Sequence, residues 1–496
     1  MSEAEFDLLV VGGGINGAGI ARDAAGRGLS AMLVEKDDLA AHTSSASSKL
    51  VHGGLRYLAQ FEFKLVRESL TERERLLRAA PHIVQPVQFV LPLSDSSRPA
   101  WMLQAGLLLY DRLGGRRLLP ASRSIDLRGP FGTGLKAGPT KAFTYWDCRV
   151  QDSRLVVLNA IDAQARGAMI LTRTELIEAR REGGFWAAKM QGAGGSRSVR
   201  ARALVNATGP WAAQLFERIH GTRHRKTIRL VKGSHIVVPR LYPGDHAFIL
   251  QNPDRRVVFA IPFEGHTLVG TTDVTWSEPP GDPAISDEEV DYLLATIGRT
   301  FAAEVAKSDI TWSYSGVRSL VDDGSPNPST VTRDYVLELD DSGAPLLSVF
   351  GGKLTTYRAL SERAVDRLAP FLSGTRRAWT DRVALPGGDI PNLDLGAFVQ
   401  ALLKRRPGIP SEIVERLVRT YGTRSERLLD DDPGEHFGAG LHAREVDYLV
   451  AHEWAVTAED ILFRRTKLGL HIAPEGIARL EAYLSSRVPA GERGRF

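Results

Sequence analysis

The sequence predicts an α/β protein: a discontinuous parallel-sheet unit carrying an inserted, mostly antiparallel β domain and a small α-helical C-terminal domain. Three observations predict it. Residues 6–28 run from an apolar strand through spaced glycines into a helix, and a similar strand–glycine–helix order returns near residue 350. Between about 226 and 330 the text changes to short β-branched runs separated by Pro and Gly turns. Beyond Pro391 the patterns are helical, with few strand signals.

The first unit is defined by Phe6-Asp-Leu-Leu-Val-Val-Gly-Gly-Gly-Ile-Asn-Gly17. The apolar run Phe6 to Val11 reads as a strand buried on both faces. Gly12-x-Gly14-x-x-Gly17 follows, and helical spacing continues through Ala18, Ile20, Ala21, Ala24 and Ala25. In such a unit Gly12 makes the tight turn, Gly14 lets backbone amides approach a pyrophosphate, and Gly17 lets helix and strand pack closely. The helix N-terminus then favours the negative charge of the diphosphate. A second strand, Ser30 to Val34, ends at Glu35, placed to accept from a ribose hydroxyl. Strand, glycines, helix, strand and terminal carboxylate together define a Rossmann-like dinucleotide site.

The loop Thr43 to Tyr57 holds Ser44, Ser45, Ser47 and Ser48, then His52, Gly53, Gly54, Arg56 and Tyr57. A serine run alone reads as a linker. Here it starts within ten residues of the ribose strand, so a loop wrapping the cofactor is expected. Glu62 to Ala80 reads as an amphipathic helix stopped by Pro81, and Phe89 to Leu93 as a strand. The stretch Arg98 to Arg112, with Trp101 and Tyr110 near its ends and Arg116-Arg117 beyond, reads as a buried helix in preference to an interfacial one. A helix over Leu155–Arg166, a strand over Met169–Thr172 and a hairpin around Gly183-Gly184 lead to a second apolar strand, Ala203 to Ala207, ending in Thr208-Gly209.

In the inserted region Ser234–Val238, Val257–Ile261 and Thr267–Asp273 are strand-like, Asp287–Phe301 is helical, and Ile310–Arg318 is a further strand. Leu346–Phe350 is a buried strand entering Gly351-Gly-Lys-Leu-Thr-Thr-Tyr-Arg358 and a helix. The expected division is 1–90, 150–225 and 331–385 for the dinucleotide unit, 91–149 and 226–330 for the inserted cap, and 386–496 for the helical domain.

Composition bounds the function. The 496 residues include 63 Lys+Arg against 59 Asp+Glu, a net charge of +4, and these are spread along the chain. That distribution argues against a nucleic-acid face, which needs concentrated basic charge. The single cysteine, Cys148, excludes an intrachain disulfide and reads as a packed residue in a reducing compartment. The acidic start, Ser2 to Glu5, runs straight into the first strand and does not read as a signal peptide. No run approaches the ~18 apolar residues of a membrane span, and no His/Cys spacing suggests a metal site.

Several of these blocks together resemble the FAD-dependent glycerol-3-phosphate dehydrogenases. They are Val11–Gly28, Ser44–Leu58, Lys232-Gly-Ser-His-Ile-Val-Val238, Gly270-Thr-Thr-Asp273, Tyr314-Ser-Gly-Val-Arg318 and Gly351–Arg358, with Arg464-Arg-Thr-Lys467 in the terminal region. They span most of the chain in the family's order. Ser361 stands where that family's last signature usually has alanine. The resemblance implies FAD as cofactor and oxidation of sn-glycerol 3-phosphate to dihydroxyacetone phosphate, with hydride passed to flavin N5 and electrons to a membrane quinone. It implies a cytoplasmic protein attached peripherally to the anionic inner face of the cell membrane, and leaves a homodimer open.

The same resemblance singles out the site. Gly12, Gly14, Gly17, Glu35, Ser44, Ser45, Ser47, Ser48, His52, Thr208, Gly209, Gly352, Lys353, Leu354 and Thr355 are expected on FAD. Arg56, Tyr57, Thr271, Thr272 and Arg333 are expected on substrate, with Arg318 in the phosphate clamp, where a planar guanidinium pairs bidentately with phosphate oxygens. His235 is expected as the base or as a substrate-orienting group. Lys353 at a helix start can stabilise charge developing on flavin or substrate. Three rivals stand beside this reading: an oxidase using oxygen on the same substrate, an amine-oxidase-like flavoprotein acting on an amino acid, and an RNA-binding flavoprotein.

Overall fold

The computed structural model describes residues 4–58, 61–93, 99–115, 118–222, 228–254, 256–321, 334–429 and 432–488. The strand Ala4–Val11 lies at the centre of an eight-stranded sheet. Its parallel neighbours are Gly195–Asn206 and Ala31–Val34, with Val10 opposite Val205 and Leu33. Leu346–Phe350 extends the sheet in parallel beyond the one, and Met169–Leu171 beyond the other. Leu8, Leu9 and Val10 are fully buried, as an uninterrupted apolar run at a parallel-sheet centre must be.

The helix Ile15–Gly26 follows the glycine turn and packs beside Asp152–Ala165 and Tyr357–Leu368. Small residues make that approach close. A Cβ on Gly19 would fall 2.4 Å from Ser361 Oγ. Ser361 is buried there and its hydroxyl donates to Tyr357 O at 2.8 Å, so this departure from the family's alanine leaves no polar group unpaired.

The second sheet has ten strands. Ile228–Val238 pairs antiparallel with Trp312–Val321 and His266–Gly270, and Lys141–Val150 with Val84–Pro92. One parallel pairing, Ala247 to Phe89, joins the two halves. The sheet thus draws on Leu50–Val51, ahead of position 91, and on Val84–Pro92, which straddles it. The helix Asp287–Thr300 on this sheet opens with a capping box, Ser286 and Glu289 satisfying each other's backbone amides. Cys148 is buried within Lys141–Val150.

The helix Ala100–Leu113 departs from the expected buried helix. Only Leu107 and Tyr110 are buried, while Trp101 is 68% exposed and Met102, Leu108 and Leu109 also face outward. Phe61, 78% exposed, and Phe63 are further outward apolar residues, around the start of the helix Phe63–Ala79 that touches this one. The sequence shows why: apolar residues lie on every side of this helix, so burying one stripe leaves another uncovered. Arg98, Arg116 and Arg117, expected to flank it, lie outside the described residues.

The terminal helices, among them Ser411–Tyr421, Ala443–Glu453 and Pro474–Arg487, enclose their own core around Val414, Val418, Leu441 and Leu449. Buried ion pairs dock them onto the dinucleotide unit. Asp38 accepts from Arg464 Nε and Arg465 Nη1, each at 2.7 Å, and Arg154 pairs with Glu453. Asp460 accepts from Arg173 at 2.7 Å and from the amides of Val456 and Thr457. Burial alone would raise the Asp460 pKa, but Arg173, Arg464 and Arg465 outweigh it and hold the carboxyl well below the usual range.

A depressed carboxyl contributes stability that is present above the unfolded value of about 3.9 and lost as pH falls through the folded value. Asp460→Asn should therefore destabilise the protein by about 3–5 kcal/mol at neutral pH, because it leaves buried arginine charge unmatched. Thermal unfolding at pH 7 and pH 3 checks this: the gap between variant and parent should narrow at the lower pH, and a pH-independent gap would contradict it.

Candidate active site

A cavity of about 530 Å³ runs between the two sheets, and both glycine turns open onto it. Gly12 has φ +113°, and a Cβ there would fall 2.5 Å from Ala207 O. At Gly17 it would fall 1.9 Å from Gly12 O. These two glycines are required by the turn itself. Gly14 differs: its φ is in the ordinary range, its added Cβ would meet only Ser44 Oγ, at 3.2 Å, and it faces the cavity. The three glycines thus divide in two: Gly12 and Gly17 have no room for a side chain, whereas Gly14 has room and faces the cavity.

Glu35 closes the turn. Its carboxylate accepts from Gly13 N at 2.6 Å and Asp37 N at 2.8 Å, and burial raises its pKa despite those amides. Asp37 also bonds His42 at 2.7 Å. Glu35, Asp37 and His42 are the one ligand-type cluster among the described residues; these contacts account for its arrangement.

The serine loop divides by task. Ser44 Oγ accepts from Ile15 N at 3.0 Å, at the helix start, and lines the cavity. Ser45 turns away, its hydroxyl donating to His42 O. Ser47 donates to Asp152 at 2.7 Å, and Lys49 Nζ bonds the same carboxylate and Ser45 O, pinning the loop from beneath. Ser48 lines the cavity and lies 2.9 Å from His235 Nε2. Asp152 lies more than a hundred residues from this loop, and no local pattern marks it. Thr208 and Gly209 line the cavity at the end of the long strand.

The second glycine turn meets this loop. Gly351 and Gly352 have φ +73° and +100°, and Gly352, Lys353, Leu354 and Thr355 line the cavity. Thr355 Oγ1 accepts from His52 N at 3.3 Å, joining the two loops. His52 lines the cavity as well, and Lys353 Nζ lies 3.8 Å above the Tyr57 ring centroid.

The cap contributes Thr271 and Arg318. Arg318 Nη2 donates to Thr271 Oγ1 at 2.9 Å, and Nη1 pairs with Asp273, a partner that the GTTD block holds in plain view. Thr272 has a different position: fully engaged, it donates to Glu289 at 2.6 Å and accepts from Ser234 N, behind the cavity wall. His235 is also off the wall, 1% exposed, its ring stacked on Tyr314 at 4.9 Å. Burial first, then the Arg318 and Lys49 charges, hold its pKa well below the ordinary value, so the ring is neutral. The Arg56 side chain and all of Arg333 lie outside the described residues.

Two glycine-turn units around one elongated cavity, capped by an antiparallel sheet, define a dinucleotide-dependent oxidoreductase of the flavoprotein class. Comparison with known proteins agrees. A model of FAD-dependent oxidoreductases matches residues 7–358, and one of the C-terminal domain of alpha-glycerophosphate oxidase matches 378–485. A glycerol-3-phosphate dehydrogenase of Pseudomonas aeruginosa is 54% identical over 493 residues, covering 98% of this chain and 96% of that one. A D-erythritol 1-phosphate dehydrogenase of Brucella abortus is 50% identical, covering 95% and 96%. A crystal structure of Bacillus halodurans glycerol-3-phosphate dehydrogenase with FAD superposes with TM-score 0.78 at 28% identity, covering 98% of this chain and 90% of that one. The chain belongs to the FAD-dependent glycerol-3-phosphate dehydrogenase family. Its cofactor is FAD.

Proposed function

We propose that the protein oxidises sn-glycerol 3-phosphate to dihydroxyacetone phosphate and passes the electrons to a membrane quinone. The observation that carries this reading is the convergence of Arg318, Thr271, Tyr57, His52 and Lys353 on the cavity that also receives Gly12 and Gly14. FAD, when bound, supplies the hydride acceptor for C2. Arg318, oriented by Asp273 and Thr271, offers its guanidinium to the phosphate dianion. Lys353, above Tyr57, adds positive charge where negative charge develops. His235, neutral before substrate arrives and set behind the cavity wall, is where the proton released by the C2 hydroxyl ends up.

Arg318→Ala should raise KM for glycerol 3-phosphate about 10- to 100-fold, the worth of ~1.5–3 kcal/mol for bonds to a charged group, and leave bound flavin unchanged. An unaltered KM would remove it from the clamp. Steady-state assays with glycerol 3-phosphate and D-erythritol 1-phosphate test the substrate. The second compound is a reading favoured by the Brucella relative, and a higher kcat/KM for it would reassign the substrate to a four-carbon polyol phosphate. Peroxide formation in air without quinone reduction would favour the oxidase reading.

Attachment to the anionic inner face of the cell membrane is part of the proposal. No helix among the described residues is long and apolar enough to cross a membrane. The outward Trp101, Leu108 and Leu109 form a surface suited to the headgroup boundary. Replacing Trp101, Leu108 and Leu109 together by serine should abolish co-sedimentation with phosphatidylglycerol-containing vesicles without lowering flavin content. Undiminished co-sedimentation would place the contact elsewhere.

A further inference from the structure

The hydrogen bond between Ser48 and His235 is explained neither by the cofactor cradle nor by the phosphate clamp. Ser48 Oγ stands 2.9 Å from His235 Nε2, and of the two residues only Ser48 lines the cavity. The imidazole cannot swing past it. Its ring stacks on Tyr314 with an interplanar angle of 16°, and a Cβ built on Gly270 would fall 2.2 Å from its Cδ2, so backbone closes tightly against the ring. Tyr314 also ties down the chain beside Ser48, its hydroxyl donating to Ser47 O at 2.8 Å. Asp152 holds the residues on either side of Ser48 through Ser47 Oγ and Lys49 Nζ. Both ends of the Ser48–His235 bond are thus anchored, and its serine end is the one that reaches the cavity.

We propose that Ser48 is a catalytic residue, taking the proton of the substrate C2 hydroxyl and passing its own hydroxyl proton to His235 Nε2. This rests on the functional reading above. The substrate O–H bond breaks as a new Ser48 Oγ–H bond forms, and the original Oγ–H proton moves to Nε2, leaving imidazolium. The C2 oxygen's freed electron pair closes the C=O bond while the C2 hydrogen leaves with its bonding pair as hydride, so C2 is oxidised by two electrons, which bound FAD would accept. After product leaves, the imidazolium proton returns through Ser48 to water. Substrate favours the relay electrostatically. Arg318 and Lys49 disfavour imidazolium in the free enzyme, and the phosphate dianion paired with Arg318 offsets that charge.

The test uses FAD-loaded enzyme mixed anaerobically with glycerol 3-phosphate in stopped flow. Ser48→Ala should reduce its flavin at least about 100-fold more slowly with substrate affinity within a few-fold, the scale of a lost general-base path. Ser48→Thr, which keeps a hydroxyl, should recover most of the rate. A Ser48→Ala enzyme as fast as the parent overturns the relay, and so does a threonine variant as slow as alanine. A reading independent of turnover comes from 15N NMR of histidine-labelled parent holoenzyme. His235 should be the Nδ1–H tautomer with Nε2 accepting from Ser48, and an Nε2–H tautomer overturns the proposal. If Ser48→Ala cannot retain FAD, that tautomer decides. Failure of the parent flavin to be reduced by glycerol 3-phosphate would instead sink the substrate assignment.

Discussion

Gly14→Val is expected to give a folded, colourless protein. The reason lies in the contrast among the three glycines. A side chain at Gly17 would be driven to 1.9 Å from Gly12 O, and one at Gly12 would need a left-handed backbone as well as room beside Ala207. Substitution at either strikes the packing of helix on strand and should lower stability or yield. At Gly14 the added atoms meet only the movable Ser44 hydroxyl and otherwise enter the cavity, where backbone amides must approach a diphosphate. The flavin absorbance of purified Gly14→Val should be absent while its circular dichroism matches the parent. A fully loaded variant would contradict the placement of the diphosphate.

His235→Ala is expected to slow flavin reduction by about 10²- to 10⁴-fold, the range for loss of a positioned general base, with a smaller change in substrate affinity. Undiminished reduction would remove His235 from the proton path. Its environment also sets a pH signature. Burial, Arg318 and Lys49 hold its pKa well below the ordinary value near 6.5. The neutral, proton-accepting ring therefore persists as pH falls through that range. An unfolded chain would bind a proton there while the folded one does not, so this group's contribution to stability declines on acidification. Flavin reduction at limiting substrate, which reports the free enzyme, should show no inflection assignable to His235 near pH 6.5.

The parallel sheet was legible because its determinants are local. Phe6 to Val11, the glycines and Glu35 lie within thirty residues, and their types demand one geometry. The strand at Ala203 and the Gly351-Gly-Lys353 turn were legible for the same reason, each carrying strand and turn signals in a few residues. The unexpected features depend on distant partners. Nothing near Thr272 announces Glu289 as its acceptor, and nothing near Ser47 announces Asp152. The serine run looked uniform, yet its hydroxyls take four different directions because a turning loop faces four different neighbours. The helix Ala100–Leu113 is more exposed than its apolar composition suggests, because apolar residues lie on every side and the sequence does not say which side is covered.

Anaerobic addition of glycerol 3-phosphate to the purified holoenzyme shows whether this flavin cavity oxidises it. Oxidised-flavin absorbance should bleach in a saturable, single-turnover reaction, with one dihydroxyacetone phosphate formed per flavin, and return when a short-chain quinone is added. A flavin that stays oxidised with glycerol 3-phosphate, while bleaching with glycine, sarcosine or D-erythritol 1-phosphate, would contradict the account.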